Sequence, residues 1–276
     1  MKICDLHTHS IYSDGTFTPE ELIIESKKKG LSAIALTDHN NICGVEIFKS
    51  FAEKNGIEGI AGVEFSTDYG QKELHILGLF LKKEYYNEVT KRTESLLKRK
   101  DESNRILVER LRLAGYDVDY DKIKESVKGT VNRAHIGEVL YKKGYVKSIA
   151  DALKSLLSKD GLYYHTPKRL DVFETIEFIR SIGSTPVLAH PFLDLDAERL
   201  RVFLAKAVKF GLVGMETVYS TYDDGTTLLA KKIAKEFNLK DSGGSDFHGE
   251  RKPGISLATG KGNLIIPYEF CKNLRP

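Results

Sequence analysis

Cysteine is scarce in this chain. Cys4, Cys43 and Cys271 are widely separated, odd in number and in no CxxC pattern. That excludes a disulfide framework and reads as free thiols in a reducing compartment. Long apolar runs are missing as well: none approaches the roughly 20 residues that span a bilayer. No basic stretch leading into an apolar core opens the chain, so no leader is expected and the protein is expected in the cytoplasm. Neither sign of charge is in excess, with 42 basic and 39 acidic residues giving +3. This balance offers no reason to invoke long duplex nucleic acid or a membrane, although it leaves room for a local basic pocket. Repeats and low-complexity stretches are absent too. What remains is an ordinary soluble composition, 41% hydrophobic and 29% charged over 276 residues. Such a chain can form one large domain or a domain carrying an insertion.

Short β-rich runs alternate with helical segments. Residues 2–6, 32–36, 57–65 and 73–80 read as strands. Thr18-Pro-Glu-Glu opens a helix with an N-cap threonine and proline at the first position, ending at Gly30. A second helix covers 42–54. The alternation predicts a parallel sheet or barrel with helices outside it. From 82 to about 166 the pattern breaks into charged helical sequence with no convincing strand, so residues 82–167 are expected to be a helical insertion in a barrel formed by 1–81 and 168–276. The strand–helix rhythm resumes at 171–182 and continues to 240–243.

The histidines are not scattered through this framework. His7 and His9 follow the first strand and, at i and i+2, project to one side. His39, in LTDHN, follows the second strand, and Glu64 ends the third. His75 lies within the fourth; His190, in PVLAHP, ends the strand after the insertion; Asp246 and His248, in GGSDFHG, follow the last. In a parallel barrel the carboxyl ends of the strands share one face, where active sites form. One face would hold six histidines with Glu64, Asp246 and Asp14. A single histidine there would be an ordinary hydrogen-bonded residue. Six, buried with three carboxylates, would be costly to assemble without a cation. Nitrogen and oxygen donors without sulfur suit zinc, manganese or iron, and the donor set does not choose among them. Nine donors exceed one tetrahedral ion and suit two or three divalent ions sharing a bridging carboxylate. Such ions add positive charge that favours an anionic substrate.

The motifs DLHTHSIYSDGT, LTDHN, GVEFS, ELHILG, LAHP and GGSDFHG, in this order, resemble the polymerase and histidinol phosphatase (PHP) family of metal-dependent phosphoesterases. The resemblance implies a distorted (β/α)7 barrel with a trinuclear centre at the carboxyl ends of its strands. It assigns His7, His9, Glu64 and Asp246 to a first ion, Glu64 as the bridge to a second held by His75 and His190, and Asp14, His39 and His248 to a third. No ligand position departs from the family pattern. Asp38 is a candidate for orienting a ligand imidazole, with a capping carboxylate as the alternative.

Within the insertion, Thr130-Val-Asn-Arg-Ala-His-Ile resembles the arginine-x-histidine helix start of relatives that act on nucleotides, namely 3′,5′-nucleoside bisphosphate phosphatases and short-oligonucleotide 5′-exonucleases. Ala134 stands where that subgroup often has proline. By this resemblance Asn132 caps the helix while Arg133 and His135 face the metals and bind phosphate; arginine offers the bidentate fork that lysine lacks. The expected activity is hydrolysis of a phosphomonoester of a small nucleotide or short oligonucleotide by a metal-bridging hydroxide, with the metals and Arg133 neutralising developing charge and the leaving alkoxide stabilised by a metal ion or by a protonated His190, His248 or His135. The rival readings are a histidinol-phosphate phosphatase and a non-catalytic metal-binding module. The insertion favours the nucleotide reading, and the complete donor set disfavours the third. Metal identity, exact substrate and oligomeric state are open at this point.

Overall fold

A computed structural model describes residues 2–70, 72–127 and 131–276. In chain order the elements are β1 (Cys4–Asp5), α1 (Pro19–Lys28), β2 (Ala33–Leu36), α2 (Val45–Lys54), β3 (Glu58–Tyr69), β4 (Lys72–Leu79), α3 (Tyr86–Leu113), α4 (Tyr120–Glu125), α5 (Arg133–Lys142), α6 (Ile149–Lys154), β5 (Leu170–Asp171), α7 (Val172–Ser181), β6 (Thr185–Leu188), α8 (Ala197–Ala207), β7 (Gly214–Tyr219), α9 (Asp224–Glu236), β8 (Lys240–Gly244) and α10 (Tyr268–Leu274). Seven strands follow one another around the sheet in the order β1-β2-β3-β4-β6-β7-β8, and the two-residue β5 pairs with β3 off this path. The Leu6 amide donates to the Gly243 carbonyl and the Asp246 amide to the His7 carbonyl, which brings the last strand back to the first. The result is a nearly closed barrel.

Local signals in the sequence set these elements. Thr18 and Glu21 form a reciprocal capping box at the start of α1, with Pro19 just inside it. Alternate residues of each strand divide between two apolar layers. Ala33, Ala35, Leu77, Leu79, Val187 and Ala189 fill the barrel, while Ile34, Leu36, Leu74, Ile76 and Leu188 face the surrounding helices. The carboxyl-terminal segment seals the amino-terminal end of the barrel: the Leu274 carbonyl accepts from Thr185 Oγ1, and the Ile266 carbonyl from the Cys4 amide. The opposite end is left for chemistry.

One strand departs from the parallel expectation. β4 runs antiparallel to both β3 and β6. The run 57–65 and the run 73–80 are separated by too few residues for a parallel crossover, which needs a dozen or more, so the chain turns back at Gly70, with φ +64°. The reversal carries His75, near the start of β4, to the rim where the other strands end.

The helices α3–α6 lie between β4 and β5 and, among the described residues, include no strand, as the composition of 82–167 indicated. They share an apolar cluster of their own, including Leu107, Leu111, Val131, Ile136, Leu140 and Leu157. Thr130, which opens the motif quoted above, lies outside the described residues. No described helix is long and apolar enough to cross a membrane.

Candidate metal centre

His7 Nε2 and His9 Nε2 stand 3.0 Å apart, aimed at one point. Glu64 Oε2 lies 3.4 and 3.3 Å from them, and Asp246 Oδ1 3.6 and 3.2 Å. Donors about 2.1 Å from one ion stand roughly 3.0–3.4 Å from each other; His7, His9 and Asp246 form one close set of donors, and Glu64 joins His7 and His190 in a second. The second oxygen of Glu64 lies 2.7 Å from His75 Nδ1 and 3.1 Å from His190 Nε2. Asp14 Oδ1 is 3.3 Å from His248 Nε2 and 3.8 Å from His39 Nε2. Four sets of donor atoms, each within 4.8 Å of one another, overlap at His7, His9, His39 and Glu64. Of these four, only Glu64, with two oxygens, could bridge two ions; a neutral imidazole has one lone pair and serves one ion at a time.

The polar accounting points the same way. Asp14 Oδ1, Glu64 Oε2, His39 Nδ1 and His75 Nδ1 are buried without a hydrogen-bond partner. Each such atom costs about 1–3 kcal/mol unless something satisfies it, and cations at the Asp14 set and at the Glu64–His75 set would satisfy them. Burial alone would raise the carboxyl groups, but neighbouring positive charge holds them well below the usual range: His248 and His39 act on Asp14, His39 and His75 on Glu64, Lys252 and His248 on Asp246. Burial and the adjacent His248 keep His9 neutral. These are the forms that bind metal. His7 and His75 behave oppositely. Burial disfavours their charge, yet Glu64 and its neighbours outweigh it and push His75 up to about 10. An arriving cation displaces protons there.

The rim is built close and under strain. A Cβ on Gly244 would stand 2.2 Å from His7 Cβ, so only glycine lets β8 approach the first histidine. Asn40, His190 and Asp246 have φ of +48°, +28° and +54°. Residues forced into such regions cost about 1–3 kcal/mol each and cluster at functional sites.

The carboxylate that orients an imidazole is Glu216. Its Oε1 lies 3.1 Å from His7 Nδ1, which directs Nε2 into the centre, and its Oε2 accepts the His190 amide at 2.7 Å. The sequence reading passed it over; a fully buried acid inside the apolar run Leu212–Tyr219 was the available signal. Asp38, the residue proposed for that task, touches no imidazole. It accepts from the Ser10 amide and hydroxyl at 2.8 and 2.6 Å and from Ser13 Oγ at 2.5 Å, and Ser13 Oγ is 3.4 Å from His9 Nδ1. Asp38 therefore ties down the His7–Asp14 loop and reaches the imidazole only through Ser13. Asp246 keeps its second oxygen on Tyr219 and Lys252, at 2.7 and 2.5 Å.

A cavity of about 210 Å³ opens beside the centre. Its lining includes Asp14, His39 and His75 together with Glu73 and the cations Lys100, Arg133, Lys159 and Arg169. Of these cations the sequence reading singled out only Arg133. Arg133 opens α5, donates Nη1 to the Leu157 carbonyl at 2.7 Å and stacks on Tyr164 at 5.0 Å. His135 does not line the cavity; its Nδ1 accepts the Asn132 amide at 2.9 Å and secures the first turn of α5. Burial, reinforced by Arg251, lowers His135 to about 4. The ordinary value is about 6.5, so the folded protein resists protonation that the unfolded chain accepts. Stability is complete above about 6.5 and is lost as pH falls toward 4, by about 3 kcal/mol in total. His135→Gln, which keeps an acceptor but cannot titrate, is expected to flatten this acid limb in urea unfolding between pH 7 and 4. An unchanged slope would show that His135 titrates alike in the folded and unfolded protein.

Known proteins resemble this chain in sequence and fold. The PHP domain family pattern matches residues 5–165. A 5′-3′ exoribonuclease of Haemophilus influenzae is 32% identical over 248 residues, 88% of this chain and 89% of that protein. A 3′,5′-nucleoside bisphosphate phosphatase of Chromobacterium violaceum is 26% identical over 258 residues, 90% of this chain and 88% of that protein. Among solved structures, one described as a metal-dependent phosphoesterase of Bifidobacterium adolescentis superposes with a TM-score of 0.87 at 24% identity, covering 99% of this chain and 95% of that one.

Proposed function

Because the chain belongs to the PHP family and is a metal-dependent phosphoesterase, we propose that it hydrolyses phosphate esters of small nucleotides, either 3′,5′-nucleoside bisphosphates or short oligonucleotides. One observation supports this reading: candidate metal donors (Asp14, His39 and His75) and the cations Lys100 and Arg133 line the same cavity, so a substrate carrying two anionic groups has both kinds of partner within reach. The names of the two relatives, an exoribonuclease and a nucleoside bisphosphate phosphatase, agree with it.

His7, His9, Glu64, Asp246, His75, His190, Asp14, His39 and His248 would hold two or three divalent ions, of manganese, iron or zinc. When bound, these ions neutralise phosphate charge and lower the pKa of water toward neutrality. The protein's own groups do the rest. Glu216 fixes His7, Lys252 and Tyr219 fix Asp246, and Arg133 faces the substrate's anionic oxygens. Residues 82–167 act as a helical lid, with Lys100 and Arg133 carried on α3 and α5.

Phosphate release from 3′,5′-bisphosphorylated adenosine and from a short 5′-phosphorylated oligonucleotide, measured beside histidinol phosphate with Mn²⁺ present, tests the reading. Nucleotide turnover that a chelator abolishes supports it; a preference for histidinol phosphate overturns it. Excising residues 83–167 and closing the gap with a short linker is expected to leave a metal-binding barrel that no longer discriminates among phosphate esters. Full activity and unchanged preference in that protein would refute the lid.

A further inference from the structure

Glu73 lies two residues before His75 on β4, so the two side chains share a face. It belongs to none of the four donor sets at the centre. Its Oε1 is 3.3 Å from His75 Nε2 and 3.1 Å from Arg169 Nε, and its Oε2 pairs with Lys159. His75 meanwhile turns Nδ1 toward Glu64. A neutral imidazole carries its proton on one nitrogen only, so a carboxylate on Nε2 leaves the Nδ1 lone pair for the centre. Arg169 continues the chain of contacts. Its Nη1 reaches Asp68 Oδ1 and its Nη2 the Tyr164 hydroxyl, each at 3.1 Å, and the Tyr164 ring carries Arg133.

Two of the four cations on the cavity wall, Lys159 and Arg169, thus face acids, while the contacts of Arg133 are a carbonyl and a ring. We propose that Glu73 is a positioning residue with two tasks: it presents Nδ1 of His75 to the metal centre, and it neutralises Lys159 and Arg169 so that Lys100 and Arg133 set where an anion sits in the cavity. The proposal rests on the metal-dependent reading above.

The two tasks predict opposite responses in Glu73→Gln, which separates them from a general loss of structure. Calorimetric titration of the chelated full-length protein with Mn²⁺ is expected to show one class of site weakened about 10- to 100-fold, the usual cost of removing an outer carboxylate partner. Titration of the same metal-free protein with sulfate is expected to show tighter binding, because the cavity has lost a negative charge. Lys159→Met, at a partly exposed side chain, is expected to weaken sulfate and leave the Mn²⁺ sites within about threefold, by the same Coulombic argument. Unchanged Mn²⁺ affinity in Glu73→Gln overturns the first task, and sulfate binding that weakens or stays level in that variant overturns the second. A wild-type protein that takes up no Mn²⁺ would overturn the functional reading together with this one.

Discussion

Glu64→Gln is expected to empty two ion positions where His7→Ala chiefly disturbs one. Both oxygens of Glu64 are engaged: Oε2 faces His7, His9 and His39 at 3.4, 3.3 and 2.9 Å, and Oε1 faces His75 and His190 at 2.7 and 3.1 Å. An amide keeps the shape but offers a single acceptor and no charge. Its NH2 group would point donors at imidazole nitrogens or at a cation. Loss of an outer carboxylate partner already costs about 10- to 100-fold in metal affinity, so loss of a shared inner one is expected to exceed 100-fold for both ions. Turnover should fall at least as far as it does when a single preorganised charge-stabilising group is removed, about 10²- to 10³-fold. Elemental analysis of the purified variant checks the first expectation, and phosphate release at saturating Mn²⁺ the second. A full metal count would show that Glu64 bridges nothing.

The candidate metal donors were legible because each is an ionisable side chain placed at or near where a strand hands over to a loop. His7, His9, His39, His190 and His248 needed only the strand assignment. His75 needed more. Its place on the rim follows from the reversal of β4, and the short link from residue 65 to 73 was the sign that no crossover fits. Glu216 was hidden because one acid in an apolar strand reads as an interruption until the fold sets it beside His7, 209 positions away in sequence. The cations lining the cavity were harder still. Lys100, Lys159 and Arg169 sit in charged stretches indistinguishable from solvated helix and loop, and nothing in a periodicity says which of many lysines turns inward. Arg133 stood out only through its motif. The same motif misplaced His135, whose ring nitrogen serves the helix start.

The substrate assignment is decided at Arg133. A terminal phosphate carries close to two negative charges at neutral pH. In the proposed reading bound ions would engage the ester being cleaved, so a second phosphate on the same nucleotide would need its own counter-charge. Arg133 is the residue proposed to supply it: the Leu157 carbonyl and the Tyr164 ring hold the guanidinium, and the side chain lines the cavity. Burial pulls its pKa down from the ordinary value, but arginine stays charged throughout the working range. Charge-assisted hydrogen bonds of this kind contribute about 1.5–3 kcal/mol, or about tenfold to 150-fold in kcat/KM. Arg133→Ala is therefore expected to lose that much with a 3′,5′-bisphosphorylated nucleotide and much less with a simple aryl phosphate, at unchanged metal content. Arg133→Lys, which keeps the charge without the fork, should recover only part of the difference. Equal losses on both substrates would move Arg133 onto the phosphate being cleaved. No loss on either would leave the guanidinium as a strut between Leu157 and Tyr164, and the second phosphate would then fall to Lys100.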